Sequence, residues 1–149
     1  MAGTPAVVYD GNNGYFIGIT PSGHAITLET DKDRNSAPTP IELLLIAVGA
    51  CMGSDVVSIL HKKREQLTEY RVEIHGVRRD ETPASYATIQ LHHLLTGRGL
   101  SASAVQQAIE LSNTKYCSVA ATLRPSAEIN VTYEILEDAA QLLSGSGRL

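Results

Sequence analysis

Residues 41–52 form a long apolar segment in which Glu42 is the single charged residue. Thr39 followed by a proline and then Glu42 predicts a helix that begins with a capping box. The segment is apolar nearly all round, which is typical of a helix buried on most of its sides. Gly49 and Gly53 indicate close backbone approach or a local irregularity. The sequence therefore predicts a long central helix.

Strand and turn signals surround this helix and predict the order β-β-β-α-β-β-α-α-β. The first 30 residues predict a three-stranded meander, followed by a polar loop over 30–40. The later predicted elements are strands at 70–79 and 85–96, a helix capped by Ser101 and ending near Asn113, a helix at 116–123, a strand at 128–135 and a helical turn at 137–143. Strands that come in hairpins favour an α+β fold with antiparallel sheets and helices packed on one face. With 149 residues, we expect one domain over 1–149.

Composition and charge exclude some functions. Lys and Arg number 12 against 16 Asp and Glu, giving a net charge of −4, and the chain has no Trp and one Phe. Nucleic-acid binding needs a basic surface or stacking aromatics, so we expect no nucleic-acid partner. The N-terminus resembles no signal peptide, and the longest apolar run, 43–48, is short of a bilayer span. The sequence predicts a cytoplasmic protein without a membrane partner.

Two cysteines, Cys51 and Cys117, are the candidate reactive groups, either as buried thiols or as a redox pair. Cys117 lies near the start of a short helix and follows Lys115, and both features lower a thiol pKa if the thiol is exposed. Asp55, one turn after Cys51, raises the pKa of Cys51 if the two share a face. Local sequence alone therefore does not mark Cys51 as the nucleophile.

Glu42 and the histidines have structural interpretations. Glu42 lies about 13.5 Å along a straight helix from Cys51 and on its opposite side, so the two cannot touch within one regular helix. Its role as the capping partner of Thr39 is the favoured interpretation. The five histidines show no metal-binding spacing, and the adjacent His92 and His93 face opposite ways on a strand. We expect no metal and no bound cofactor.

Two segments carry a family resemblance. Residues 37–51 read APTPIELLLIAVGAC and continue with MGSDVV, while residues 115–119 read KYCSV, 66 residues separating the cysteines. Together they resemble the two cysteine segments of the OsmC/Ohr family, in particular its broad OsmC-like branch, over a core of about 14–136. The resemblance implies an intertwined homodimer, with sheets shared by both chains around two long central helices.

The resemblance also implies an activity, the thiol-dependent reduction of organic hydroperoxides in oxidative stress defence. Cys51 would be the peroxidatic thiolate that becomes a sulfenic acid, and Cys117 would close a Cys51–Cys117 disulfide. An external dithiol such as dihydrolipoamide would reduce that disulfide. The assisting glutamate of the family matches Glu42. Arg34 is the candidate for its assisting arginine, because residues 1–33 contain no Arg.

Two other interpretations stay open. A non-catalytic OsmC-like protein could bind a small hydrophobic ligand or sense redox state through the same cysteines. Alternatively, both thiols are core residues and the function lies elsewhere. The tail at 144–149 is predicted to be frayed.

Overall fold

The computed structural model describes residues 3–139. The chain divides into two compact units, Met1–Leu44 (unit 1) and Leu45–Leu149 (unit 2), each with its own three-stranded sheet. The expectation of one domain over 1–149 stays a prediction. The predicted frayed tail lies outside the described residues, as does most of the predicted turn at 137–143. Glu137 itself is the last residue of a strand rather than the start of a helical turn.

Unit 1 contains the predicted meander, in the strand order β1-β2-β3 with both pairs antiparallel. The strands are β1 (Ala6–Asp10), β2 (Tyr15–Ile19) and β3 (Ala25–Leu28). The first turn forms because the Asp10 carboxylate accepts hydrogen bonds from the Asn12 backbone N–H at 3.1 Å and the Asn13 amide at 2.8 Å. Gly14 supplies the positive φ of 73° with which this turn ends.

The long helix α1 (Pro40–Lys62) begins in unit 1 and continues in unit 2. Val48, Met52, Val56 and Leu60 recur at the helical spacing and are fully buried. In unit 2 these side chains form one face of the core. The predicted long helix is confirmed, but its burial on most sides is not: only one third of its most apolar 18 residues are buried, and Ile46 is 60% exposed.

The two glycines of α1 allow close packing on β4 (Gln66–Arg78). A Cβ atom at Gly49 would stand 2.6 Å from Cδ1 of Ile74, and one at Gly53 would stand 2.9 Å from Cε1 of Tyr70. Both distances are shorter than normal Cβ contacts, so a side chain at either position would require Ile74 or Tyr70 to shift. Close backbone approach is thus the reason for both glycines.

The sheet of unit 2 has the order β4-β5-β6 and is mixed, not antiparallel as predicted. Its other strands are β5 (Tyr86–Arg98) and β6 (Glu128–Glu137). β4 and β5 pair antiparallel, whereas β5 and β6 pair parallel. The helical segment between β5 and β6 returns the chain to the end at which β5 began, which a parallel pair requires. Leu91, His93 and Leu95 on one face of β5 are buried, while His92 between them is partly exposed, as predicted for the histidine pair.

That helical segment consists of α2 (Ala102–Leu111), a π-helical turn (Ser112–Tyr116) and α3 (Ser118–Leu123). The Ser101 hydroxyl accepts a 3.3 Å hydrogen bond from the Ala104 N–H, which confirms the predicted cap. The break predicted near Asn113 is instead the π-helical turn, so the chain stays helical up to Cys117. Val105 and Ala108 of α2 complete the core against α1 and β5.

By length and composition alone, α1 could cross a membrane: its most apolar 18 residues have a mean hydropathy of 2.2, and one third of them are buried. The unbroken apolar run at 43–48 does not indicate a helix of this length, because Gly49 interrupts the run. Core helices of soluble proteins meet the same criterion. A cytoplasmic location therefore stays a prediction.

Candidate functional site

Cys51 lies in the middle of α1 and is half-buried. Its neighbours Ala50 and Met52 are apolar, and Met52 is fully buried. The Ser54 hydroxyl donates a 3.0 Å hydrogen bond to the Cys51 carbonyl. Cys51 is therefore a thiol on a regular helix that solvent can partly reach.

Cys117 is buried, with 3% of its surface exposed, and forms the N-cap of α3. Its Sγ accepts a 3.3 Å hydrogen bond from the Ala120 N–H. The Cys51 side chain lies close enough to influence the ionisation of this thiol. The structure thus brings together the two cysteines that are 66 residues apart in the sequence.

The environment of Cys117 raises the pKa of its thiol well above the ordinary value. Burial contributes most, because a thiolate loses solvation there, and the hydrogen bond and charge of Cys51 add to the effect. The Ala120 N–H opposes the shift. The local sequence rules pointed the other way, on the condition that the thiol was exposed, and the structure does not meet that condition. Cys117 is thus a protonated thiol held beside Cys51.

Asp55 and Ser112 form a second link between α1 and the segment that carries Cys117. The Ser112 hydroxyl donates a 2.8 Å hydrogen bond to Oδ2 of Asp55. Ser112 is fully buried, and its carbonyl accepts a 2.9 Å hydrogen bond from the Cys117 N–H. Sequence reasoning missed Ser112, since no local pattern connects residues 57 positions apart.

Arg34 belongs to unit 1, where its guanidinium has partners of its own. Its Nε pairs with Oε1 of Glu29, which is 1% exposed, and its Cζ lies 4.0 Å from the Tyr15 ring centroid. Ser36 donates to Oε2 of Glu29 through its N–H at 2.8 Å and its hydroxyl at 2.7 Å. The Tyr15 hydroxyl lies 2.7 Å from the Ser36 hydroxyl. Arg34 is therefore one member of a polar cluster, here called the Glu29 cluster: Tyr15, Glu29, Arg34 and Ser36.

Two pKa shifts describe the Glu29 cluster. Burial works against ionisation of Glu29, but the two Ser36 donors and Arg34 outweigh it and lower the pKa of this carboxyl below its ordinary value. The Ser36 hydrogen bond, followed by Arg34, lowers the pKa of Tyr15. Sequence reasoning missed Glu29. The available signal was an acidic residue directly after the apolar strand β3.

Glu42, also in unit 1, forms the predicted capping box with Thr39. Its Oε2 accepts hydrogen bonds from the Thr39 N–H at 2.8 Å and the Thr39 hydroxyl at 3.0 Å, and the Glu42 N–H donates to the Thr39 hydroxyl at 3.4 Å. The two bonds from Thr39 lower the pKa of Glu42. The capping interpretation is confirmed.

A buried polar pair lies on the sheet of unit 2. Nδ1 of the fully buried His93 is 2.6 Å from the Tyr70 hydroxyl, while its Nε2 has no hydrogen-bond partner. Burial, with a smaller contribution from His92, lowers the pKa of His93 to about 4. Burial also raises the pKa of Tyr70 above its ordinary range. His93 is therefore neutral at physiological pH.

An apolar groove with a volume of about 860 Å³ lies between α1 and β4. Its apolar walls include Ile46, Ala50 and Val57 of α1 and Val72 and Ile74 of β4. Within residues 3–139, no cluster of three or more His, Cys, Asp or Glu side chains could hold a metal ion. Neither Cys51 nor Cys117 lines the groove, so the thiol pair and the apolar groove are two separate features of unit 2.

Comparison with known proteins identifies the family. A model of the OsmC-like protein family matches residues 31–132. The chain belongs to the OsmC-like family. It is 40% identical to protein YhfA of Escherichia coli K12 over 121 residues, which cover 81% of this chain and 90% of YhfA. The resemblance drawn from the two cysteine segments is confirmed.

Solved structures share the α+β fold of this chain. A hypothetical protein from Aquifex aeolicus VF5 matches with a TM-score of 0.80 and 29% identity, over 93% of this chain and 98% of that one. An organic hydroperoxide resistance protein from Elizabethkingia anophelis matches with a TM-score of 0.64 over 93% of this chain and 99% of its own. At 14% identity, the second comparison establishes the fold alone.

Proposed function

We propose that this OsmC-like protein is a cytoplasmic thiol peroxidase that reduces organic hydroperoxides in oxidative stress defence. The observation that carries the proposal is the proximity of the half-buried Cys51 to the buried Cys117, which is close enough to raise the pKa of the Cys117 thiol. A solvent-accessible thiol that can be oxidised, with a second thiol at its side, is what a reversible peroxidase cycle needs. Family members named as organic hydroperoxide resistance proteins share the fold.

The proposed cycle begins at Cys51. Its thiolate attacks the terminal oxygen of the hydroperoxide, the O–O bond breaks, and the alkoxide leaves as an alcohol after taking a proton. Cys51 is then a sulfenic acid. The Cys117 thiol displaces water from that sulfur and forms the Cys51–Cys117 disulfide. An external dithiol, dihydrolipoamide by family resemblance, returns two electrons and two protons and restores both thiols.

Arg34 and Glu42 are proposed to assist, as the residues that match the assisting arginine and glutamate of the family. In this chain both have other contacts, Arg34 in the Glu29 cluster and Glu42 in the capping box. Glu42 and Cys51 lie on opposite sides of the one regular helix α1, so Glu42 would act on Cys51 of the second copy in the proposed homodimer. Their roles in turnover therefore need tests that separate charge from structure. Unchanged turnover in Arg34→Ala would remove Arg34 from the proposal.

A homodimer is part of the proposal, and exposed apolar surface supports it. Ile46 on α1 is 60% exposed, beside the apolar groove. In unit 1, Val7 is 69% exposed and Tyr9 60%. Apolar surface of this kind on helix and sheet is typical of an interface. A second copy of this chain is the proposed occupant, because α1 is apolar nearly all round and one chain covers only part of it.

The alternative function is the binding of a small hydrophobic ligand without turnover. The groove favours it, since about 860 Å³ falls within the range of small-molecule pockets, about 300–1,000 Å³. In this alternative the cysteines would sense redox state. The two functions differ in whether peroxide is consumed catalytically.

The test is consumption of cumene hydroperoxide by the reduced protein with dithiothreitol as the dithiol, with hydrogen peroxide as the comparison substrate. We expect multiple turnovers with cumene hydroperoxide, faster than with hydrogen peroxide. Cys51→Ser should abolish turnover. Cys117→Ser should keep one rapid oxidation of Cys51 and lose the internal disulfide. Absence of turnover above the background of dithiothreitol alone would refute the proposed enzyme.

A further inference from the structure

Ser112 joins the two cysteine-bearing parts of the candidate site. Its backbone carbonyl accepts the 2.9 Å hydrogen bond from the N–H of Cys117. Its hydroxyl donates the 2.8 Å hydrogen bond to Asp55, which lies one helical turn after Cys51 on α1. A single buried residue therefore connects the two cysteine segments, with its side chain bonded to the helix of Cys51 and its carbonyl bonded to the backbone of Cys117.

The position of Ser112 in the chain makes this connection important. It is the first residue of the π-helical turn that ends immediately before Cys117. π-Helical turns are rare and occur frequently at functional sites. The segment from α2 to α3 has an irregular backbone here, so side-chain contacts decide where it lies against α1.

The chemistry of the bond fits a positioning role. Hydrogen bonds to charged groups are about twice as strong as those between neutral groups. Ser112 is fully buried, so its hydroxyl has no competing access to bulk water. Loss of either partner would release the Cys117 segment from α1 while the rest of the core stays packed.

We infer that Ser112, held by Asp55, is the positioning residue that keeps the Cys117 thiol beside Cys51. The inference rests on the proposed function for its biological role, since positioning a resolving thiol matters in a peroxidase cycle. It concerns disulfide formation itself, and disulfide formation can be measured without any peroxide.

The experiment is equilibrium exchange of the reduced full-length protein with mixtures of glutathione and glutathione disulfide, read by intact mass after acid quenching. One glutathione disulfide accepts two electrons and two protons from Cys51 and Cys117 and leaves as two glutathione molecules, while the protein S–S bond forms. The midpoint gives the effective concentration of one thiol at the other. This effective concentration falls when Cys117 is no longer held beside Cys51 in the reduced protein.

We expect Ser112→Ala to lower the effective concentration about tenfold, as loss of a hydrogen bond to a charged group implies. Asp55→Ala should give a similar loss, and the double variant no more than either single one. Asp55→Asn, whose amide oxygen can still accept the bond but without the charge, should show an intermediate loss of about threefold. Thr114→Ala is the matched control, because Thr114 lies in the same turn but bonds only its own helix at the Glu110 carbonyl.

A second measurement tests the role of Ser112 if Ser112→Ala folds poorly. In the Cys51→Ser background, alkylation of Cys117 by iodoacetamide reports how often its segment leaves α1. Asp55→Ala should speed that alkylation about tenfold, and Thr114→Ala should leave it unchanged. Effective concentrations and alkylation rates equal to the parent in both Ser112→Ala and Asp55→Ala would overturn the inference, as would a parent that forms no internal disulfide. A parent that exchanges as expected but consumes no peroxide would refute the proposed function and leave Ser112 in its role.

Discussion

Glu29 and Arg34 form an ion pair in which the carboxylate is almost completely removed from solvent. Ser36 completes the coordination of that carboxylate with two hydrogen bonds. These donors more than offset the effect of burial, so Glu29 is ionised in the folded chain at neutral pH. The loop between β3 and α1 is thereby fixed by electrostatics rather than by apolar packing.

This arrangement predicts a pH dependence of stability. Because folding lowers the pKa of Glu29 below its ordinary value of 4.5, its contribution is present above that pH and is lost as the pH falls through the folded-state pKa. Glu29→Gln should therefore be less stable than the parent at pH 7, and the difference should shrink below pH 4.5. Urea unfolding at several pH values measures it, and a difference that stays constant with pH would contradict the assignment.

The lowered pKa of His93 predicts a second pH dependence of stability. Stability again falls as the pH falls, but in a different pH range. Its folded pKa of about 4 lies below the ordinary 6.5, so the unfolded chain binds the proton more tightly between these values. The free energy of unfolding should fall by about 3 kcal/mol between pH 7 and pH 4 through this residue. His93→Gln should lack that part of the decline, whereas the exposed His24→Gln should keep it. Equal slopes in the two variants would show that His93 is not the responsible group.

Substitutions at the start of α1 separate the effect of the Glu42 charge from the structural role of Glu42 in the capping box. Glutamine can replace glutamate in a capping box, so Glu42→Gln should keep the melting temperature of the parent. If the carboxylate assists Cys51, the same variant should consume cumene hydroperoxide at least about tenfold more slowly. Thr39→Ala is the opposite case, with a loss of about 1 kcal/mol of stability and unchanged turnover. Parent-like turnover in Glu42→Gln would leave Glu42 with its capping role alone.

The proposed homodimer predicts an effect of charge on α1. Ile46→Glu places a carboxylate on an apolar surface that a second copy would bury, and an unpaired buried charge is strongly unfavourable. Sedimentation equilibrium should show a dimer for the parent and a shift toward monomer for this variant. Gln90→Glu, at an exposed position of β5, should remain dimeric. A monomeric parent at micromolar concentration would refute the homodimer.

Much of the fold could be predicted because its signals are local. Apolar periodicity and the capping residues Thr39 and Ser101 were sufficient for the element order and for α1. The direction of β6 was wrong because an alternating pattern indicates a strand and carries no information about the orientation of its neighbour. The π-helical turn was predicted as a break in the helix for a similar reason, since only its backbone hydrogen bonds distinguish it from such a break.

The candidate site was less predictable, because its decisive contacts join distant residues. Asp55 was considered only for its effect on Cys51, and its contact with Ser112 lies beyond any helical spacing. The rule that a helix N-terminus lowers a thiol pKa was outweighed at Cys117 by burial. Glu29 was missed because acidic residues are rarely buried without a partner, and its partners Arg34 and Ser36 are set by the fold of the loop.

Cys51 and Cys117 are proposed to form a redox pair that organic hydroperoxides oxidise. The most direct test mixes the fully reduced protein with one equivalent of cumene hydroperoxide in a stopped flow and follows the thiol count and the intact mass. We expect rapid loss of two thiols and of two mass units, abolished in Cys51→Ser. Thiols that stay intact in the folded protein under excess peroxide would contradict it.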